Sequence, residues 1–141
     1  MLALSCFLRL HYAPGGATER SPKTVQMKSK ANLTNIKFRS HCPVSRSLDL
    51  VGDKWTLLIM RDALVLGRKT FAEFANSPER IPTNLLADRL KKLVNLGLLA
   101  KQQYHQKPPR YEYIPTQTGL ELRPVLFAMK AFGEAQLEGK A

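Results

Sequence analysis

The chain is poor in cysteine, poor in acidic residues, and without a long apolar run. Its two cysteines, Cys6 and Cys42, are too few for a disulfide framework, so the fold must rest on a hydrophobic core and suits a reducing cytoplasm. No apolar stretch reaches the length of a membrane-spanning helix, so no membrane partner is expected. The opening MLALSCFLRL has no basic residue ahead of a short apolar run broken at Arg9, which argues against a secretory signal. H-E-x-x-H, phosphate-loop, dinucleotide-binding and G-x-S-x-G patterns are all missing, and an enzyme is not expected. His11, His41 and His105 share no metal-ligand spacing with each other or with the cysteines, so neither metal nor cofactor is expected.

What the chain does have is positive charge. Lys and Arg number 22 against 11 Asp and Glu, a net +11 with a sequence pI near 10.0. That balance suits a polyanion, either nucleic acid or an anionic membrane surface. About half of the excess sits in a short leading stretch: residues 1–41 carry +6 and residues 42–141 carry +5. Residues 1–41 show no sustained periodicity, contain the turn-prone Ala13-Pro14-Gly15-Gly16, and read as a flexible basic tail. Met27 offers a second starting point within it. Residues 42–141 read as one folded domain, and 44% apolar residues are enough to build its core.

Helical periodicity begins at Cys42-Pro43, with proline suited to a first turn and Val44, Leu48 and Val51 recurring until Gly52. Asp53 can cap a second helix carrying Trp55, Leu58, Ile59, Ala63 and Leu64. Thr70 can cap a short third helix with Phe71 and Phe74, ended by Asn76-Ser77-Pro78. Thr83 is the expected cap of a fourth helix, striped by Leu86, Leu90, Leu93 and Val94 and stopped by Gly97. Two strands follow, Leu98–Tyr104 and Tyr111–Ile114, the simplest reading being a hairpin with Pro108-Pro109 at its tip. A last helix is expected over Gln117–Leu137, capped by Thr116 or Thr118, with Pro124 either kinking it or marking its first turn. The fold class is therefore mainly α with a β-hairpin wing, the plan of a winged helix-turn-helix.

On that plan the fourth helix is the reader. Asn84, Asp88, Lys91, Lys92 and Asn95 point away from its leucine stripe, Arg89 lies on the flank, and Thr83 stands at the N-terminus. Asn suits adenine, Arg suits guanine and Lys suits phosphate. An ordinary solvated face, with Asp88 and Lys92 paired across one turn, is the competing reading. The wing offers His105, Lys107 and Arg110 on a proline-stiffened tip, or a hairpin kept soluble by charge; it lacks P-x-x-P spacing. Arg68-Lys69-Thr70 stands where a helix start can face phosphate, or is a solvated loop. Cys42, at a helix start near Arg39, His41 and Arg46, could serve as a redox sensor or as a small core residue. A winged helix that binds protein rather than DNA stays open as the alternative.

The stretches Cys42-Pro43-Val44, LDLVGDKWTLLIMRDAL (48–64), Phe71 with Phe74, LLADRLKKLVNLGLL (85–99) and PPRYEYIPTQTG (108–119) carry a resemblance. Over residues 42–133 the chain resembles the HxlR-type, MarR-like family of bacterial winged-helix transcriptional regulators. The resemblance implies a cytoplasmic homodimer on pseudo-palindromic double-stranded DNA, formed by the first and last helices. It would place Leu48, Leu122, Val125, Leu126, Met129 and Phe132 in the dimer interface, Cys42 in a sensor position, and a small-molecule or electrophile effector within reach. Pro115 and the basic tail depart from the family pattern.

Overall fold

The computed structural model describes residue 33 and residues 36–137. Most of the expected basic tail, with Cys6, His11 and Met27, lies outside the described residues. The element order is α1 (Pro43–Val51), α2 (Lys54–Leu64), α3 (Phe71–Ala75), α4 (Thr83–Asn95), β1 (Leu99–Gln106), β2 (Pro109–Pro115), α5 (Gln117–Leu120) and α6 (Arg123–Leu137). It is the helix–hairpin order of a winged helix-turn-helix. No described helix is long and apolar enough to cross a membrane.

The core sits where α2, α3, α4 and the base of the hairpin meet. Ile59 and Met60 of α2, Phe74 of α3, and Leu86, Leu90 and Leu93 of α4 are fully buried. The spacings of four and three between Leu86, Leu90 and Leu93 keep them on one face of α4. Tyr113 of β2 sets its ring edge-on to Phe74, centroids 6.4 Å apart. This joins the hairpin to the helices through an aromatic pair.

Local signals fix most helix ends. Asp53 caps α2, its carboxylate accepting from Thr56 N (3.0 Å) and Thr56 Oγ1 (2.5 Å). Gly97 adopts φ +70° and ends α4. Gly97 N donates to Val94 O and Leu98 N to Leu93 O, both at 3.0 Å. That pair of bonds is a Schellman closure, and its positive φ favours glycine.

Three expectations are corrected and one open choice is resolved. Pro82, not Thr83, is the N-cap of α4; its carbonyl accepts from Leu86 N, and Thr83 becomes the first helical residue. Of the two expected caps of the helix after the wing it is Thr116 that serves, its hydroxyl accepting from Gly119 N at 3.1 Å. The last helix is two: α5 ends at Leu120 and α6 starts afresh at Arg123, so Pro124 occupies a first turn where its missing N–H costs nothing. The strands run to Gln106 and from Pro109, leaving Lys107 and Pro108, joined by a cis peptide bond, as the turn; Leu98 is buried ahead of β1. Pro109 is tolerated because it occupies the first position of an edge strand.

Candidate nucleic-acid interface

Helix α4 turns its leucines inward and leaves Thr83, Asn84, Asp88, Lys91 and Asn95 exposed. Asn84, Asp88, Lys91 and Asn95 share the outward arc that the sequence pattern gives, and Thr83 is exposed at the helix start. Lys92, on the same arc, and Arg89, on its flank, are half-buried and paired. Arg89 Nε donates to Asp53 Oδ1 at 2.9 Å, and Lys92 Nζ lies 3.4 Å from Asp53 Oδ2. Lys92 thus reaches across to the start of α2 rather than to Asp88, the partner that the competing reading gave it. Burial alone would raise the Asp53 carboxyl. The bonds from Thr56 and the Arg89 guanidinium outweigh it and hold the group well below the usual carboxylate range. Two of the cations assigned to the reading helix are therefore partly neutralised within the fold.

Arg68 is also engaged. Its Nη1 donates to Asp62 Oδ2 at 2.9 Å, while Arg61 covers Oδ1 from Nε (2.9 Å) and Nη2 (2.6 Å). Asp62 is fully buried between them. Arg61 also forks onto Glu79 at 2.6 and 3.0 Å, and Glu79 accepts from Ser77 Oγ at 2.6 Å. Burial would lower the Arg61 guanidinium, but its bonds to Glu79 and Asp62 raise it. The network ties α2 to the turn between α3 and α4. It positions Arg68 as a fold contact.

The start of α3 is self-satisfied. Glu73 accepts from Lys69 N and Thr70 N, each at 2.8 Å, and Thr70 Oγ1 accepts from Glu73 N at 3.3 Å. Those backbone bonds hold the Glu73 carboxyl below its ordinary value. The N–H groups expected to meet a phosphate are already given to this capping box. The Lys69 side chain remains at the surface. The same loop holds the wing: Tyr113 N donates to Lys69 O at 2.7 Å, and Thr70 forms a bridge with Glu112.

The wing is an antiparallel pair running from Leu99↔Pro115 to Gln106↔Pro109, with a bulge between Gln103 and His105. Lys107 and Arg110 are exposed at its tip. His105 Nδ1 lies 3.0 Å from Pro108 O, which draws the ring back along the turn. Lys101 Nζ sits 4.1 Å from the centre of the Tyr111 ring, a cation–π contact along the strands. Tyr104 is half exposed beside the bulge.

Away from these surfaces, Val44 and Leu48 of α1 and Val125, Phe127, Met129 and Phe132 of α6 are exposed. No residue of α6 is buried. Leu122 and Leu126, which the resemblance would place in a dimer interface, are partly buried against the chain's own core. Arg123 Nη2 donates to Leu64 O at 2.8 Å, tying the start of α6 to the end of α2. Cys42 is exposed as the N-cap of α1 with no side-chain capping bond, and its N–H donates to Ser40 Oγ at 3.2 Å. Among the described residues, no group of three His, Cys, Asp or Glu side chains could hold a metal ion.

Sequence reading missed Asp53, Asp62 and Glu79 as partners of the cations. One signal was available for Asp62: a carboxylate on the apolar arc of α2, between Ile59 and Ala63, needs a cation.

The family model described as HxlR-like helix-turn-helix matches residues 50–141. The HTH-type transcriptional regulator YdeP of Bacillus subtilis is 37% identical over 93 residues, 66% of this chain and 72% of that protein. The redox regulator HypR in its reduced form superposes with a TM-score of 0.61 at 34% identity, covering 69% of this chain and 95% of that one. The reduced transcriptional regulator YodB from B. subtilis gives a TM-score of 0.56 at 30% identity, covering 70% and 97%.

Proposed function

The chain belongs to the HxlR-like helix-turn-helix family of transcriptional regulators, and from that premise we propose that it binds double-stranded DNA sequence-specifically as a homodimer. The observation that carries this reading is the polar outward arc of α4, with an exposed cationic wing tip on the same domain. Thr83, Asn84 and Asp88 read base edges from the first half of α4, and Lys91 meets phosphate. Lys107 and Arg110 at the wing tip, with Lys69, add backbone or minor-groove contacts. Arg89 and Lys92 contribute while paired with Asp53, and Arg68 contributes by holding the loop. Work on DNA gives the protein a cytoplasmic setting.

The exposed apolar face of α1 and α6 supports the homodimer. One chain leaves Val44, Leu48, Val125, Met129 and Phe132 facing water, and a two-fold copy would cover them. Two reading helices then meet a pseudo-palindrome about one DNA turn apart. The test is DNA selection from a random pool, followed by titration of the recovered site at several salt concentrations. Asn84→Ala should cost about 1–3 kcal/mol at one base pair and relax its identity. Lys91→Ala should weaken all sequences alike and lower the salt slope by about 0.9. A protein that selects no site and binds no DNA at low salt sinks the reading.

A thiol response through Cys42 is the finer part of this proposal. It is supported by the exposure of Cys42 at the head of α1 and by the likeness to the redox regulator HypR. Mild oxidant should change operator affinity of the wild type and leave Cys42→Ser unchanged. Equal responses in the two proteins would remove Cys42 from the account. An electrophile would act on the same sulfur.

A further inference from the structure

Asp53 carries more charge than its cap needs. An N-cap requires one side-chain oxygen facing a backbone N–H, and asparagine or serine supplies it as well as aspartate. Here Oδ1 accepts from Thr56 N at 3.0 Å and Oδ2 from Thr56 Oγ1 at 2.5 Å. The same two oxygens face α4, where Arg89 Nε donates to Oδ1 at 2.9 Å and Lys92 Nζ lies 3.4 Å from Oδ2. The carboxylate serves two helices, and only the α4 side calls for its negative charge.

The ion pairs do little to hold α2 against α4. Ile59 and Met60 already share one buried core with Leu86, Leu90 and Leu93. The side chains of Asp53, Arg89 and Lys92 are 31%, 29% and 35% exposed, and ion pairs so open to water contribute little to stability. What Asp53 changes is the reading helix. Helix α4 carries Arg89, Lys91 and Lys92 against Asp88, a net +2, and Asp53 lowers this to +1. Lys92 stands at the junction: it lines an open hollow with Asp88, Lys91 and Asn95 of the outward arc, while its ammonium reaches back to Asp53. Against the cost of burial, the Thr56 and Arg89 bonds keep the carboxyl well below the usual carboxylate range, so its charge is present at neutral pH.

We propose that Asp53 is a specificity-determining residue, whose carboxylate competes with phosphate for Arg89 and Lys92 and so suppresses binding to DNA that lacks the site. This rests on the DNA-binding reading above. Non-specific binding is almost wholly cation–phosphate attraction, so a carboxylate that occupies two cations weakens it directly. On the right site, base contacts from Thr83, Asn84 and Asp88 fix the seating of α4, and less depends on those cations. A fixed negative charge beside the reading face also repels phosphates that approach in a wrong register.

The test uses the full chain and Asp53→Asn, which keeps the cap and removes the charge. Affinity is measured against salt for the selected site and for a scrambled duplex of the same length. On the scrambled duplex the slope of log K on log salt should steepen by about 0.9 for each cation released, which is about eightfold in affinity per cation at about 0.1 M salt. Affinity for the selected site should rise less, so the ratio of specific to non-specific affinity should fall. Lys92→Gln gives a readout that does not depend on Asp53→Asn folding. Because Lys92 is already paired, its loss should flatten the scrambled-duplex slope by clearly less than Lys91→Ala does. Added to Asp53→Asn, the same change should flatten it by about 0.9. A scrambled-duplex slope at or below the wild-type value in folded Asp53→Asn, or a ratio that does not fall, overturns the proposal. A Lys92→Gln loss equal to that of Lys91→Ala does so too. A wild type that binds its site while these expectations fail leaves the DNA-binding reading standing. If the wild type binds neither duplex at low salt, that reading falls and this proposal with it.

Discussion

Asp62→Ala tests the network beneath the wing. The Asp62 carboxylate is fully buried and accepts three bonds, two from Arg61 and one from Arg68. Truncation leaves two guanidinium groups facing the space it filled. Removing one member of a buried ion pair costs about 3–5 kcal/mol. Two features place this site at the lower end of that range. Arg61 keeps its fork onto Glu79, and Arg68 is 22% exposed, so water can reach it. A loss of about 3 kcal/mol is a large share of the about 5–15 kcal/mol that stabilises a typical domain. At about 4–8 °C per kcal/mol for a domain near this size, the midpoint should fall by about 12–24 °C. Urea unfolding followed by circular dichroism measures the loss. A cycle with Arg68→Ala should show a coupling of about 1 kcal/mol or more between the two residues. The wing should respond as well, because Lys69, next to Arg68, holds the Tyr113 amide. Exchange of that amide with solvent should accelerate more than exchange in α4. A loss below about 1 kcal/mol, or costs that simply add, would refute the claim that Asp62 organises this loop.

Further outcomes follow from single residues. A Cβ on Gly119 would lie 2.1 Å from Leu98 O, so Gly119→Ala must separate α5 from the base of the wing and should cost about 3 kcal/mol by thermal unfolding. The Glu79 carboxyl, held by the Arg61 guanidinium, is lowered from 4.5 to about 2. The unfolded chain therefore takes up this proton first, and the stabilisation is present above pH 4.5 and fades as pH falls toward about 2. Glu79→Gln should be less stable than wild type at neutral pH, with the gap closing across that window in acid titrations. Phe132 is 63% exposed, so Phe132→Ser should leave chain folding intact while shifting the protein to a monomer in analytical ultracentrifugation and weakening operator binding.

Much of the fold was legible locally. Asp53 and Thr70 cap where their side chains predict, and the leucines of α4 fall on its buried face. Capping, helical periodicity and a glycine stop all act within one or two turns, so a sequence displays them directly. The start of the helical stretch after the wing was harder. Thr116 and Thr118 are both plausible caps by type, and Thr116 is set in place by its hydroxyl bonding Gly97 O at 2.5 Å, a partner nineteen residues away. Leu122 and Leu126 look like Val125 and Met129 in a periodic pattern, yet with the helix broken between Leu120 and Arg123 the first two lie against the chain's own core.

The sequence by itself determined the winged helix-turn-helix plan, the inward stripe of α4, the outward position of Asn84, Asp88 and Lys91, and the excess of positive charge. Tertiary structure alone decided which cations are committed inside the protein. Arg89 meets Asp53 across 36 residues, and Arg68 meets an Asp62 whose burial depends on α2, α3 and α4 packing together. A local pattern cannot rank one arginine against another, because an ion pair forms wherever the folded backbone brings a carboxylate within reach. That distance is fixed only once the core has closed.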